Sequence, residues 1–310
     1  IERKAFLTMR IFIFGAGYSG RAIARLALSE GFFVAGTTRS PEKAEALRGD
    51  GVTPFLFDGA GLSPEIEAEL AATTHLVVSV APGEADPVLA AARTAITQKM
   101  PALRWIAYLS TVGVYGDHGG SWVDEDTQCR PVSRRSVQRL EAENRWLSLG
   151  GEIDRPVAVL RLSGIYGPGR NALVNLEKGT ARRIVKKDQV FNRIHVEDIA
   201  GAAMLLAKGQ KGGVFNVTDN EPAPPQDVVA YAASLMGVEP PPEIAFEDAD
   251  MTPMARSFYG ENKRVSNARI KAEGYAFRFP TYRAALDHLW RTQTWRGREG
   301  GADARSQIRP

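Results

Sequence analysis

The chain has 310 residues, 44% of them hydrophobic, with 39 Lys and Arg against 36 Asp and Glu. That length buries a large core in one large or two smaller domains. No apolar run reaches the ~18 residues that cross a bilayer, and no signal peptide with a small-residue cleavage site is visible. A lone cysteine, Cys129, excludes an internal disulfide, fits a reducing cytoplasm and is assigned no role. Of the formal charge of +3, Glu2, Arg3 and Lys4 supply one and the tail from Arg296 supplies two. Residues 9–295 are therefore neutral and lack the basic body of a nucleic-acid binder.

Residues 1–8 precede Met9 and are expected to be a leader or an expression remnant. Residues 11–14 form a short apolar run that breaks into Gly15, Gly17 and Gly20. Residues 21–30 follow with Ile23, Leu26 and Ala27 at helical spacing. Strand, glycine turn and helix together make the place where a dinucleotide pyrophosphate sits. Gly15 permits the tight turn, Gly17 lets the backbone approach the phosphates, and Gly20 lets the helix pack against the strand. Tyr18 and Ser19 complete the turn, and the helix N-terminus offers free N–H groups and partial positive charge.

Residues 32–37 read as a second strand, ending where a ribose selector belongs, about 20 residues past the glycines. An NAD site usually carries Asp or Glu there, whereas this chain has Thr38, Arg39 and Ser40, with Lys43 beyond. A carboxylate repels a 2′-phosphate and a guanidinium grips it with two charge-assisted bonds, so NADP is the expected cofactor, with NAD as the alternative. The competing reading makes Arg39 a solvated loop residue. Residues 53–57 form a third strand that ends at Asp58, a further cofactor-facing position.

Strands are expected at 75–80, 104–110 and 156–162, with helices at 87–99 and 133–149. This alternation predicts an α/β fold, a doubly wound parallel Rossmann sheet covered on both faces. Residues 9–168 make the dinucleotide-binding domain. Residues 169–295 make a mainly substrate-binding smaller lobe laid over the strand ends, with 192–217 returning to the first domain. The Gly- and Arg-rich stretch 296–310 is expected to be disordered. No metal site is expected.

Four further stretches occur in order. They are Leu109-Ser110-Thr111-Val112-Gly113-Val114-Tyr115-Gly116, Arg161-Leu162-Ser163-Gly164-Ile165-Tyr166-Gly167-Pro168-Gly169, Asn192-Arg193-Ile194-His195-Val196-Glu197-Asp198-Ile199-Ala200, and Val214-Phe215-Asn216-Val217. With them the chain resembles the extended short-chain dehydrogenase/reductase family, the nucleotide-sugar epimerase and dehydratase group. In particular it is similar to an atypical bacterial subgroup, most of it without assigned substrates. The resemblance runs from residue 9 to about 290. It implies a Rossmann domain with a smaller C-terminal substrate domain, a small-molecule substrate, a nicotinamide cofactor and, as an open question, a homodimer.

Two departures from the family stand out. The family spaces its glycines G-x-x-G-x-x-G, and its first glycine falls here on Phe14. The family also places a catalytic Ser or Thr at the position of Thr111 and a Tyr-x-x-x-Lys pair on the following helix. Counting back from Leu140-Glu141-Ala142-Glu143, that pair falls on Arg135 and Arg139, and no Tyr or Lys lies between Tyr115 and Tyr166. In the family mechanism the tyrosine exchanges the substrate proton, its pKa lowered from ~10 by the lysine and the cofactor ring. An arginine, with pKa above ~12, does not exchange a proton near neutral pH. Arg139 retains the option of binding the nicotinamide ribose; the alternatives are that both arginines are solvated, or that Arg139 pairs with Glu143 at i,i+4.

His118, in a loop after the fifth strand, is a candidate acid or base, since an imidazole ordinarily titrates near neutrality. A loop histidine without a role is the competing reading. Tyr166 and Arg193 are candidate substrate residues. Tyr115 joins them with a mainly structural role, because in the family that tyrosine packs near the cofactor. His195 belongs to a segment joining the two domains, and Asp198 is expected to cap or anchor the next helix. The basic run Arg182, Arg183, Lys186, Lys187 and Arg193 reads either as a solvated face or as a capture surface for an anionic, phosphate-bearing substrate. Two functions follow: an NADP-dependent oxidoreductase or epimerase-like enzyme with a rearranged proton donor, or a non-catalytic NADP-binding sensor or regulator.

Overall fold

A computed structural model describes residues 9–297. The first half runs β1 (Arg10–Phe14), α1 (Tyr18–Ser29), β2 (Phe33–Thr38), α2 (Pro41–Gly49), β3 (Thr53–Leu56), α3 (Pro64–Ala72), β4 (His75–Val78) and α4 (Pro87–Gln98). It continues with β5 (Trp105–Thr111), a 3-10 turn (Val112–Tyr115), β6 (Trp122–Val123), α5 (Arg134–Glu152) and β7 (Val157–Leu162). Then come β8 (Gly164–Tyr166), α6 (Ala172–Glu177), β9 (Arg183–Val185), β10 (Arg193–His195), α7 (Val196–Lys208) and β11 (Gly213–Val217). The chain closes with α8 (Pro225–Met236), β12 (Glu243–Ala245), α9 (Pro253–Phe258), β13 (Arg264–Val265), α10 (Ala268–Ala272) and α11 (Tyr282–Arg291).

The expected doubly wound sheet is present. Seven parallel strands lie in the order β3-β2-β1-β4-β5-β7-β11, and the order reverses direction between β1 and β4. Ligands of such sheets bind at that switch point, beyond the carboxyl ends of the strands. Three two-stranded parallel pairs, β8/β10, β9/β12 and β6/β13, stand outside the main sheet.

The near-continuous apolar strands follow from burial on both faces. In β1, Ile11 and Ile13 join one core with α1 and α7, while Phe12 and Phe14 join the opposite core with α3, α4 and α5. A third core, built on Leu173, Ala232, Tyr282, Leu286 and Trp295, holds α6, α8 and α11 together.

Some boundaries differ from the pattern. Helix α1 begins at Tyr18, three residues early, because its glycine-containing first turn carries no apolar periodicity. Strand β4 ends at Val78, since the chain turns there to set Val80 against Gly15. The expected leader, and residues 298–310 of the expected tail, lie outside the described residues. Arg296, the first residue of that stretch, donates from Nε to Glu177 at 2.8 Å, and its guanidinium lies 3.9 Å from the centre of the Trp295 ring. Among the described residues no helix is long and apolar enough to cross a membrane, and no group of three or more His, Cys, Asp or Glu could hold a metal.

Candidate dinucleotide and substrate site

Gly15 adopts φ +84°, and a Cβ on it would lie 2.9 Å from Val80 Cγ2, so only glycine makes this turn. The turn is fastened to the end of β2 by one residue. Gly15 N donates to Thr37 Oγ1 at 2.9 Å and Ala16 N donates to Thr37 O at 2.8 Å. Gly20 brings helix and strand together, because a Cβ there would sit 2.7 Å from Gly15 O and 3.2 Å from Ile13 Cγ2. Gly17 is the N-cap of α1, and nothing lies within 4 Å of where its Cβ would be. No side chain caps this helix end and no acidic residue stands in its first turn. An uncapped helix N-terminus facing open space is a cradle for an anion. Thr37 was not marked by the sequence; a hydroxyl at the end of an apolar strand was its only signal.

Tyr18 and Ser19 are placed differently from simple cradle residues. Burial pushes the Tyr18 phenol up to about 12, and its hydroxyl donates to Pro168 O at 3.0 Å, tying the turn to the loop after β8. Ser19 is buried in the first turn of α1. At the end of β2, Thr38 is half-buried and Arg39 is exposed, with no hydrogen bond from its guanidinium among the described residues. The Ser40 hydroxyl caps α2, accepting from Lys43 N at 3.3 Å. Glu42 follows in the first turn of α2, its own backbone N–H and the Ser40 side chain lowering its carboxyl pKa. Asp58 is exposed past the end of β3, and its Oδ1 accepts from Ala60 N at 2.9 Å.

Thr111 ends β5, and its Oγ1 accepts from Gly113 N at 3.1 Å, capping the 3-10 turn. Opposite it on α5, the two arginines are spent in unlike ways. Arg135 is exposed and its Nη1 donates to Met254 Sδ of α9 at 3.5 Å. Arg139 is half-buried, and its Nη1 donates to Leu109 O at 2.6 Å while its guanidinium sits 5.8 Å from the centre of the Tyr108 ring. The i,i+4 pair between Arg139 and Glu143 does not form. Glu143 instead takes Arg161 Nη2 at 2.8 Å and the Ser110 hydroxyl, in a site where both charged side chains are buried. A Cβ on Gly113 would lie 3.0 Å from Ser136 Oγ and 3.4 Å from Thr111 Oγ1. Ser136, one position past Arg135, is thus the α5 residue that packs on Gly113, and its buried hydroxyl accepts from Ser133 Oγ at 2.9 Å. No local sequence pattern singles it out.

Tyr115 is fully buried at the end of the 3-10 turn. Its hydroxyl donates to Asn216 Oδ1 at 2.8 Å, Arg161 lies 4.9 Å from its ring centre, and burial raises its phenol to about 12. The mainly structural part of its reading agrees with that position. His118 is half-exposed, with Nε2 3.1 Å from Tyr115 O, which places the proton on that nitrogen. His195 is buried beside Tyr166 and Phe279; burial drives its pKa down to about 3, so its ring is neutral and caps α7. Asp198 is an anchor: its carboxylate accepts from Tyr275 Oη, Arg278 N and Phe279 N at 2.8, 2.7 and 3.0 Å.

The basic run divides. Arg182 and Lys186 donate to the carbonyls of Asp250 and Tyr259, and Arg183 pairs with Glu243. These three are occupied by their own lobe. Arg193 and Tyr166, by contrast, line one cavity of about 390 Å³ between α6, α8 and α11.

A family model described as "NAD dependent epimerase/dehydratase family" matches residues 11–218. Among curated proteins, the chain is 29% identical over 287 residues to Protein YeeZ of Escherichia coli K12, covering 87% of this chain and 96% of that protein. A functionally unknown conserved protein from Silicibacter pomeroyi superposes with a TM-score of 0.85 at 45% identity, covering 93% of this chain and 99% of that one. The human epimerase family protein SDR39U1, solved with NADPH, superposes with a TM-score of 0.70 at 19% identity, covering 91% of this chain and 99% of that one. At that identity the likeness is one of fold.

Proposed function

The chain belongs to the NAD-dependent epimerase/dehydratase family, and from that premise we propose that it is a cytoplasmic oxidoreductase or epimerase-like enzyme that binds NADP(H) at the glycine turn. The supporting observation is the uncapped N-terminus of α1, where Gly17 faces open space and no carboxylate stands in the first turn. The backbone at Gly15, Gly17, Tyr18, Ser19 and Gly20 lies along the pyrophosphate. Arg39, with Thr38 and Ser40 beside it, takes the 2′-phosphate, and Asp58 lines the far end. Arg39 is exposed and uncommitted, which suits this role. Glu42 nearby works against it.

The nicotinamide ring supplies or accepts hydride when it is bound. On the protein side, the Thr111 hydroxyl positions a substrate oxygen. Arg135 offers a cation to charge developing on that oxygen without giving up its proton. Arg139 retains Nε and Nη2 for the cofactor ribose, and His118 is the acid–base candidate. The substrate is anionic, with a nucleotide sugar as one such compound.

A second reading, a non-catalytic NADP-binding sensor, draws on Arg135 and Arg139: the Tyr-x-x-x-Lys positions hold no group that exchanges a proton near neutral pH, and Arg139 is already bonded to Leu109 O. Calorimetric titration of NADPH and NADH into wild type and Arg39→Ala tests the cofactor assignment. Tighter NADPH binding that is lost in the variant is expected. Equal binding of the two cofactors, or a preference that survives the substitution, contradicts it. Turnover assays over nucleotide sugars and small ketones separate enzyme from sensor.

A further inference from the structure

The cavity between α6, α8 and α11 is lined by a half-buried cation that has no counter-ion among the described residues. Arg193 is half-buried, and its desolvation lowers its pKa. Its Nη1 donates to Phe191 O at 2.9 Å and Ala223 O at 3.1 Å, stapling the bridge between those residues. That accounts for one nitrogen of three. Nε and Nη2 make no hydrogen bond among the described residues, and no carboxylate there comes within ion-pair distance of the guanidinium. Two of its nitrogens are thus left to donate to an anion.

Two hydroxyls beside it are in the same condition. Tyr166 and Tyr282 both line the cavity, both are buried, and neither Oη has a hydrogen-bond partner. Buried phenols normally find one. The remaining wall is apolar, with Val174, Val228 and Leu286 prominent, and no acidic side chain lines it. Arg170 and Lys178 add positive charge on exposed parts of the wall. The carboxyl nearest in influence, Asp219, stands behind Arg193 with Oδ2 unpartnered. Burial lifts its pKa to about 8, so at neutral pH it is largely uncharged and leaves the cavity cationic.

We propose that this cavity binds a small organic oxyanion, its headgroup held in the free fork of Arg193 and by the Tyr166 and Tyr282 hydroxyls, its apolar body against Val174, Val228 and Leu286. A planar guanidinium fork matches a carboxylate or a phosphate equally, and about 390 Å³ lies within the range of small-ligand sites. No residue of the glycine turn lines the cavity, so this is a site separate from the dinucleotide cradle. The inference deepens the anionic-substrate part of the functional reading and rests on it.

The test is calorimetric titration of the full chain with phenylacetate, phenyl phosphate and benzyl alcohol, with and without saturating NADPH. At least one acid is expected to bind and the alcohol is not; which acid binds separates a carboxylate from a phosphate headgroup. Tyr166→Phe and Tyr282→Phe delete hydroxyls that have no partner in the fold, and each should weaken the acid several-fold. Arg193→Gln should weaken it about tenfold or more. Val228→Trp fills the cavity while keeping Arg193, and should abolish binding. Failure of both acids at ~10 mM, equal binding of the alcohol, or affinity unchanged in Val228→Trp and the Tyr→Phe variants overturns the proposal. NADPH affinity, measured in the same samples, should be unmoved by all four variants. Loss of NADPH binding in wild type would instead be a failure of the dinucleotide assignment, which the titrations without NADPH do not depend on.

Discussion

Arg139 donates from Nη1 to the carbonyl oxygen of Leu109 at 2.6 Å, so this cation of α5 is bonded to the backbone of β5. Four residues earlier, Arg135 reaches across to Met254 on α9. The two positions where the family resemblance places a titratable phenol and the cation that tunes it therefore carry two arginines, one of them anchored.

The consequence for turnover is direct. The wild type should show little or no activity on ordinary epimerase substrates with NADP(H). Arg135→Tyr together with Arg139→Lys should restore a phenol and a neighbouring ammonium, raising the rate by about 10²–10⁴-fold, whereas either change alone should not. High wild-type turnover that survives Arg135→Ala and Arg139→Ala but collapses in His118→Ala would move the proton-donor role to His118. Turnover that survives all three would place the donor elsewhere.

The pair that displaced the expected Arg139–Glu143 contact gives a stability prediction. Glu143 and Arg161 are both buried, and Glu143 also accepts from Ser110, so α5, β5 and β7 meet at one carboxylate. Glu143→Gln leaves a buried guanidinium uncompensated and should cost about 3–5 kcal/mol. Replacing both residues with Met should cost less than the sum of the single changes. Urea denaturation of the three variants checks this; a cost for Glu143→Gln below ~1 kcal/mol, the range of an exposed pair, contradicts it.

Much of this was legible in the sequence because sterics impose it locally. Gly15 at φ +84° and Gly20 against the Gly15 carbonyl admit no side chain, so the turn announces itself by residue type. The alternate faces of β1 likewise follow from an apolar run that leads into a glycine turn and a helix. Contacts between distant residues were not legible. The i,i+4 rule suggested Arg139 with Glu143, yet Glu143 was captured by Arg161 on the next strand, where both are desolvated. Thr37 fastens a turn 22 residues away, and Ser136 comes to Gly113 only because α5 packs there. Tyr115 is buried with its hydroxyl bonded to Asn216, 101 residues on. The oxyanion cavity is assembled from β8, β10 and three helices that no local pattern links.

Asp219 supplies a pH dependence whose sign is fixed. Burial raises its pKa to about 8 in the folded protein, with Arg193 opposing the shift only in part. From about pH 4, the unfolded value, to about pH 8 the folded chain holds a proton that the unfolded chain has released. Stability contributed by this group is therefore complete below that window and is lost as pH rises through it, at no more than about 1.4 kcal/mol per pH unit. Asp219→Asn stays neutral and keeps an oxygen for the Glu221 N–H that Oδ1 now accepts. The stability difference between wild type and this variant should shift in the variant's favour as pH rises from 5 to 8. A difference that stays constant with pH contradicts the assignment.

The most direct test of the dinucleotide site is NADPH titration of wild type and Gly17→Val, with circular dichroism and thermal melting recorded on both. Nothing of the protein lies within 4 Å of a Cβ at this position, so the variant should fold. The isopropyl group would then occupy the space in front of the α1 N–H groups, where the pyrophosphate belongs. The account predicts measurable NADPH binding by wild type and none by the folded variant. Unaltered affinity in folded Gly17→Val would contradict it.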